Sequence, residues 1–311
     1  MAEILLSLTI IGVVAAITLP SLTGNINERT WNTQRKAIYA RFSQAISLMP
    51  ALNGYGTLDD TSDTAAETFI TAGLSKVLKI NNICDSEHIK DCGFTSKITT
   101  LGAQNISLPL TMGSLNSMLV SFSATDSMHT SYNTIDTKVA AFETANGESI
   151  LAYYNPKCIN IQTQASTNTA VWVKSQPEMC ANFIYDLNGS KGPNTVGKDI
   201  GVITVIGASD SKVVAPYPHI RDINGTTQSA GAKACTTLDN EYRMPGIEEV
   251  QSMYYNRKLF NLAEDKNYWS SSLWKGSSGG STSILGWGVD AVGRKFYHTR
   301  TLGYTVRCVK R

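Results

Sequence analysis

The stretch from Ile4 to Leu19 is what most limits this chain of 311 residues. It is a run of sixteen mostly apolar residues with one carboxylate, Glu3, at its front and Pro20 at its end. A charge carried into an apolar medium costs about 3 kcal/mol on insertion scales. Glu3 therefore needs a cationic partner, and the run itself supplies none. The cheapest source is the terminal amine of another copy of the same chain. Other readings fit less well. A secretory signal would open on basic residues and close on a small-residue cleavage site, but no Lys or Arg precedes Arg29. A membrane anchor usually needs about 20 apolar residues and no leading charge. A helix buried in one globule would be apolar along a stripe rather than on every face.

Ala2-Glu3, then Ile10-Ile11-Gly12-Val13-Val14-Ala15-Ala16-Ile17, then Pro20 resemble the N-terminus of type IV pilins and their relatives in type II secretion. In that family a basic leader is removed by a prepilin peptidase and the new N-terminus is methylated. The glutamate usually has four residues before it, and here it has two. A precursor reading Gly-Phe-Thr-Met-Ala-Glu would reconcile the two. The resemblance implies a precursor held in the inner membrane, extraction by pilus assembly machinery, and a helical homopolymer outside the cell. It makes Glu3, Gly12 and Pro20 the assembly residues, with Glu3 setting the stagger between subunits.

Beyond Pro20 the helix is expected to continue with a changed face. Trp31, Ile38, Phe42, Ala45, Ile46 and Met49 recur at helical spacings, with Arg29, Arg35, Lys36 and Arg41 on much of the other side. Pro50 and Asn53-Gly54-Tyr55-Gly56 stop it. Residues 1–52 thus read as one N-terminal helix whose first 20 residues form an apolar stalk. A rod from Glu3 to Met49 would span roughly 70 Å at 1.5 Å per residue. Gly12 and Pro20 soften it.

The remaining length suits two globular units. Charged residues make up 17% of the chain and the net charge is +2. With no long basic tract, a dedicated nucleic-acid site has no electrostatic support. Six cysteines, Cys84, Cys92, Cys158, Cys180, Cys235 and Cys308, stand without a C-x-x-C pair or a nearby His cluster. An even number of that kind suggests three disulfides in an oxidising compartment. Of the fifteen pairings, the sequential one is expected.

Residues 53–215 read as mixed α and β, with a helix over Thr64–Lys79 and a strand at Met118–Ser123. Asn146-Gly147 lies between two apolar strands, a strong hairpin signal because both residues accept positive φ. Further strands are expected at Val171–Val173 and Ala181–Asp186. An antiparallel sheet lying on the amphipathic helix is the pilin roll that the resemblance implies, and the fold class is α+β. In Asp186-Leu187-Asn188-Gly189-Ser190 and on to Asp199, hard oxygen donors alternate, which suits Ca²⁺. The EF-hand pattern then fails, because Gly197 stands where the bidentate Glu would be. The competing reading is a loop whose Asp and Asn side chains cap their own backbone.

Residues 216–231 read as a linker and 232–311 as a second unit. Tyr242-Arg243-Met244-Pro245, Glu248-Glu249-Val250, Tyr268-Trp269-Ser270-Ser271 and Val306-Arg307-Cys308-Val309 resemble, in order, bacterial domains of C-type lectin-like fold. In those, a long disulfide ties the first helix to the last strand, which implies Cys235–Cys308. Trp269, Trp274 and Trp287 are the candidates for stacking on a surface glycan or host ligand, although Trp in so small a unit also serves as core. Calcium-ligating Glu-Pro-Asn and Gln-Pro-Asp triplets do not occur. His88, His129, His219 and His298 are scattered, and nucleophile-elbow, zincin and phosphate-loop motifs are missing from the sequence, so no enzyme is expected. Two readings stand: a structural filament subunit serving adhesion or motility, and a minor or tip pilin whose lectin-like unit binds a ligand. A secretion pseudopilin is the third.

Overall fold

The computed structural model describes residues 28–49, 51, 66–85, 88–94, 97–107, 138–154, 160–161, 171–172, 176–177, 179–207, 212–216, 220–238, 241–263, 265–278, 281–290 and 295–310. Glu3, Gly12, Pro20, Cys158 and the strand expected at Met118–Ser123 lie outside them. Among the described residues no helix is long and apolar enough to cross a membrane.

Helix α1 spans 28–49. Its stripe is buried as the spacing predicts: Ile38, Phe42, Ala45, Ile46 and Met49 are all within 2% of full burial. Two cations assigned to its polar side turn inward instead. Arg35 is buried, its Nη2 donating to the carbonyls of Gly197 and Lys198. Arg41 pairs with Glu148. A guanidinium can do this because its long stem packs while its fork finds acceptors. The helix expected over Thr64–Lys79 is shorter and irregular, passing from α at Ala66–Thr68 through π at Phe69–Gly73 to 3-10 at Leu74–Lys76.

The strands in chain order begin with β1 (Ile80–Cys84), β2 (Lys97–Thr99), β3 (Asn105–Ser107), β4 (Lys138–Thr144) and β5 (Ser149–Tyr154). They continue with β6 (Asn160–Ile161), β7 (Val171–Trp172), β8 (Gln176–Pro177), β9 (Met179–Asp186), β10 (Ile200–Ile206) and β11 (Lys212–Val214). The first sheet runs β1-β4-β5-β9-β10-β11, antiparallel at every step. The β4–β5 turn holds Asn146-Gly147 as expected, with Gly147 at φ +83°.

Every residue of β5, β9 and β10 is buried, so this sheet has no wet face in its middle. On one face Phe142, Ile150, Tyr154, Phe183 and Ile203 meet α1. The Phe42 and Phe183 rings sit edge to face at 4.9 Å, and Phe69 stacks on Tyr154 at 4.0 Å, geometries that aromatic quadrupoles favour. On the other face Val139, Leu151, Tyr153, Ile184 and Val202 share one core with Val250, Met253, Tyr254 and Phe260 from the C-terminal part.

That part holds β12 (Ile220–Thr226), helix α2 (Gln228–Leu238), β13 (Tyr242–Arg243), helix α3 (Ile247–Tyr255), helix α4 (Arg257–Phe260), β14 (Tyr268–Ser278), β15 (Ser281–Val289), β16 (Lys295–His298) and β17 (Tyr304–Lys310). Its sheet runs β12-β17-β14-β15-β16-β7, with β13 also on β17. Residues 216–231, expected as a linker, therefore carry a whole strand and the start of α2. The polar, Gly-containing composition that suggested a linker belongs to an edge strand whose pairing breaks at Asn224-Gly225. Strand β7, from the middle of the chain, closes the far side of this second sheet.

Cys84–Cys92 and Cys235–Cys308 are bonded, with Cα atoms 6.0 and 5.4 Å apart. Cys180 is bonded as well. Between the first sheet and α3 lies a small polar layer. Asn182 Nδ2 donates to Asn256 Oδ1 at 2.9 Å and Asn256 Nδ2 returns the bond at 3.0 Å. Thr204 Oγ1 donates to Asn182 Oδ1 at 2.7 Å and meets the Ser252 hydroxyl at the same distance. All four residues are buried. A satisfied buried network of this kind fixes one docking register, because any slip strands its donors.

Candidate functional site

The loop singled out for calcium joins β9 to β10. Asp186 ends β9 and pairs across the ladder with Ile200, while Leu187 N–H donates to Asp199 O at 3.0 Å, so both carboxylates flank the loop's mouth. Asp199 spends its two oxygens inside the loop. Oδ2 accepts from Asn194 N–H and Oδ1 from Thr195 N–H, each at 2.8 Å. Asp186 Oδ1 accepts from Asn188 N–H at 3.2 Å, and Asn188 Nδ2 reaches Gly192 O at 3.1 Å. Gly189, Asn194 and Gly197 take positive φ of 65°, 50° and 92°. Arg35 clamps the same loop to α1 through the Gly197 and Lys198 carbonyls.

Three oxygens are left over. Asp186 Oδ2, Asn188 Oδ1 and Asn194 Oδ1 are buried without a hydrogen-bond partner among the described residues. Buried acceptors without partners are uncommon, each costing about 1–3 kcal/mol. Burial pushes the Asp186 carboxyl up to about 8 and the Asp199 charge pushes the same way, while the Asn188 N–H pulls it down. At neutral pH Asp186 therefore holds its proton. A hard divalent cation fits this donor set: it would take the place of that proton and draw on the carboxylate and amide oxygens. The residues that would hold it are Asp186, Asn188 and Asn194, with Asp199 shaping the loop around them. The chemistry supplied would be charge neutralisation, tightening the loop. Ser190, the third alternating donor, is exposed. Among the described residues no three His, Cys, Asp or Glu side chains cluster as a metal site, so amide oxygens would carry the difference. The backbone-capping alternative holds for Asp199 and stops short at Asp186.

The candidate stacking residues do not act as a set. Trp269 is fully buried, with Nε1 donating to Leu302 O at 3.1 Å and its ring packed against Phe296 and Tyr304 at 5.9 and 4.9 Å. It is core, which corrects its place among the ligand residues. Trp287 is half-buried and meets Tyr297 edge to face at 5.3 Å. The Trp274 side chain lies outside what is described.

The short motifs of the C-terminal unit turn out to be its framework. Arg243 holds Glu249 with two bonds of 2.7 and 2.6 Å, and Glu249 also accepts Gly246 N–H at 2.8 Å, closing the first turn of α3. Arg307 holds Asp222 at 2.6 and 2.7 Å and donates to Phe260 O at 2.7 Å. Ser270 Oγ donates to Trp287 O at 2.9 Å, and Ser272 Oγ accepts Ile247 N–H at 3.0 Å.

No family model, curated protein or solved structure matches this chain.

One feature escaped the sequence. A cavity of about 620 Å³ opens where α1, β11 and the start of α3 meet, with Lys36, Tyr39, Lys212, Arg243 and Glu248 among its walls. Burial pushes the Glu248 carboxyl up, but the Lys212 hydrogen bond and charge outweigh it and hold the group below the usual carboxylate range. No spacing rule announces such a pocket, because its walls come from three distant parts of the chain. His88 bonds Asp85 at 2.8 Å beside the Cys84–Cys92 loop. His298 sits buried on β16, where burial holds it below the ordinary imidazole range.

Proposed function

We propose that this chain is a pilin, the structural subunit of an extracellular type IV pilus-like filament. It would polymerise through its apolar N-terminal helix and display its two globular parts on the outside for adhesion or motility. The observation that carries the reading is a juxtaposition. An apolar run headed by Glu3 leads in sequence straight into an amphipathic helix whose inner stripe is consumed by an antiparallel sheet. The globular part thus uses up α1, and the preceding run needs a different apolar surface, which neighbouring copies can provide. Disulfides agree with a site outside the cytoplasm. The same logic implies a precursor in the inner membrane and dependence on a prepilin peptidase and assembly machinery.

The test is Glu3→Ala in the native cell. Expected is a sharp fall in sheared surface fibres with unchanged disulfides and melting of the globular part. Normal fibre yield would remove the reading. Copy number then separates the variants of the proposal. Thousands of copies along the fibre mean a major subunit. One or a few at the end mean a tip pilin, or a pseudopilin if the fibre stays in the periplasm.

A further inference from the structure

Three Asn-x-Ser/Thr tripeptides occur in the chain, at Asn105-Ile106-Ser107, Asn188-Gly189-Ser190 and Asn224-Gly225-Thr226. The tripeptide alone is a weak signal, but the structure sorts the three. Asn188 is half-buried with its Nδ2 spent on Gly192 O at 3.1 Å. Asn105 is exposed too, with its Oδ1 accepting from Thr99 Oγ1 at 3.0 Å, but its backbone is paired in the β2–β3 ladder opposite Thr99. Asn224 is exposed on β12, the edge strand of the second sheet, where the pairing with β17 breaks between Ile223 and Thr226.

At that break the carboxamide is held by one end only. Asn224 Oδ1 accepts from Lys266 Nζ at 3.0 Å and from Thr305 Oγ1 at 3.2 Å, whereas Nδ2 has no partner among the described residues. The oxygen is anchored and the nitrogen is left over. Gly225 takes φ +61°, and nothing lies within 4 Å of where its side chain would start, so the approach is open.

We propose that Asn224 is the acceptor of an N-linked oligosaccharide. Its Nδ2 bonds to the anomeric carbon of a lipid-diphosphate-linked oligosaccharide, and the anomeric carbon–oxygen bond to the diphosphate breaks. The lipid diphosphate leaves, and one amide proton passes to the transferring enzyme's base. The sugar then covers an edge whose free backbone groups would otherwise invite another strand. The inference rests on export of the chain, which Cys84–Cys92 and Cys235–Cys308 support without reference to filaments.

The experiment is export of the full chain from a bacterial host carrying an oligosaccharyltransferase and one lipid-linked oligosaccharide of known mass, read by intact-mass and glycopeptide spectrometry. Expected is a gain of one oligosaccharide, lost in Asn224→Gln and Thr226→Ala, and kept in Thr226→Ser, Asn105→Gln and Asn188→Gln. An unmodified chain in a host that modifies a control acceptor overturns the proposal, as does modification that persists in Asn224→Gln. The mass is read on the exported monomer, so a failed filament reading leaves this result intact.

Discussion

Arg41 on α1 reaches the buried carboxylate of Glu148 beside the β4–β5 turn, with Nη1 3.1 Å from Oε2, and the Thr144 hydroxyl donates to the same carboxylate. Only the Glu148 side is deeply buried, so removing Arg41 leaves an uncompensated charge in the wall of the fold. Arg41→Ala should cost about 2 kcal/mol, below the roughly 3–5 for a wholly buried pair because the arginine is a third exposed. Chemical denaturation measures it, and Glu148→Gln in the Arg41→Ala background should recover part of the loss.

Asp186 predicts a pH dependence with a definite sign. Its pKa rises from 3.8 to about 8 on folding. Between those values the folded chain keeps a proton that the unfolded chain has released, so stability falls as pH climbs. Asp186→Asn should flatten that decline in thermal melts taken from pH 4 to pH 8. Excess calcium should raise the melting temperature of the native chain at pH 8 and leave Asp186→Asn unmoved. No calcium effect on the native chain would reduce the loop to backbone capping alone.

The two described disulfides should differ in worth. In the loop-entropy account, closing 73 residues contributes about 4 kcal/mol and closing 8 about 2.5. Cys235→Ser with Cys308→Ser should therefore lower the melting temperature more than Cys84→Ser with Cys92→Ser. The reverse order in calorimetry would mean that strain or residual structure governs instead.

Asn256 bridges α3 and β9 through two bonds to Asn182. Asn256→Ala leaves the buried Asn182 Nδ2 donor without its partner while Thr204 still donates to Oδ1, at a cost of about 1–3 kcal/mol. Hydrogen exchange should show α3 losing protection before α1, since α1 packs on the opposite face.

Much of this architecture is written locally. The stripe Ile38–Met49 announces α1 because a helix repeats every 3.6 residues, and Asn146-Gly147 announces a hairpin because few other residues accept its dihedrals. The sheet's second buried face was harder to read. Ile200–Ile206 was not among the expected strands, and its burial on both faces depends on residues such as Met253 far along the chain. Trp269 shows the same limit: its sequence neighbourhood allows a stacking platform, and only Phe296 and Tyr304 make it core. The Asp186 loop was visible as alternating oxygens, but which of them find backbone donors is a property of the turn.

The six-stranded sheet, gripped by α1 on one side and α3 on the other, makes the two halves of this protein hostages to each other. A chain cut after Ala215 would lay bare the wall now met by Val250, Met253 and Phe260, and a foreign ending grafted there would need its own complement to Asn182 and Thr204.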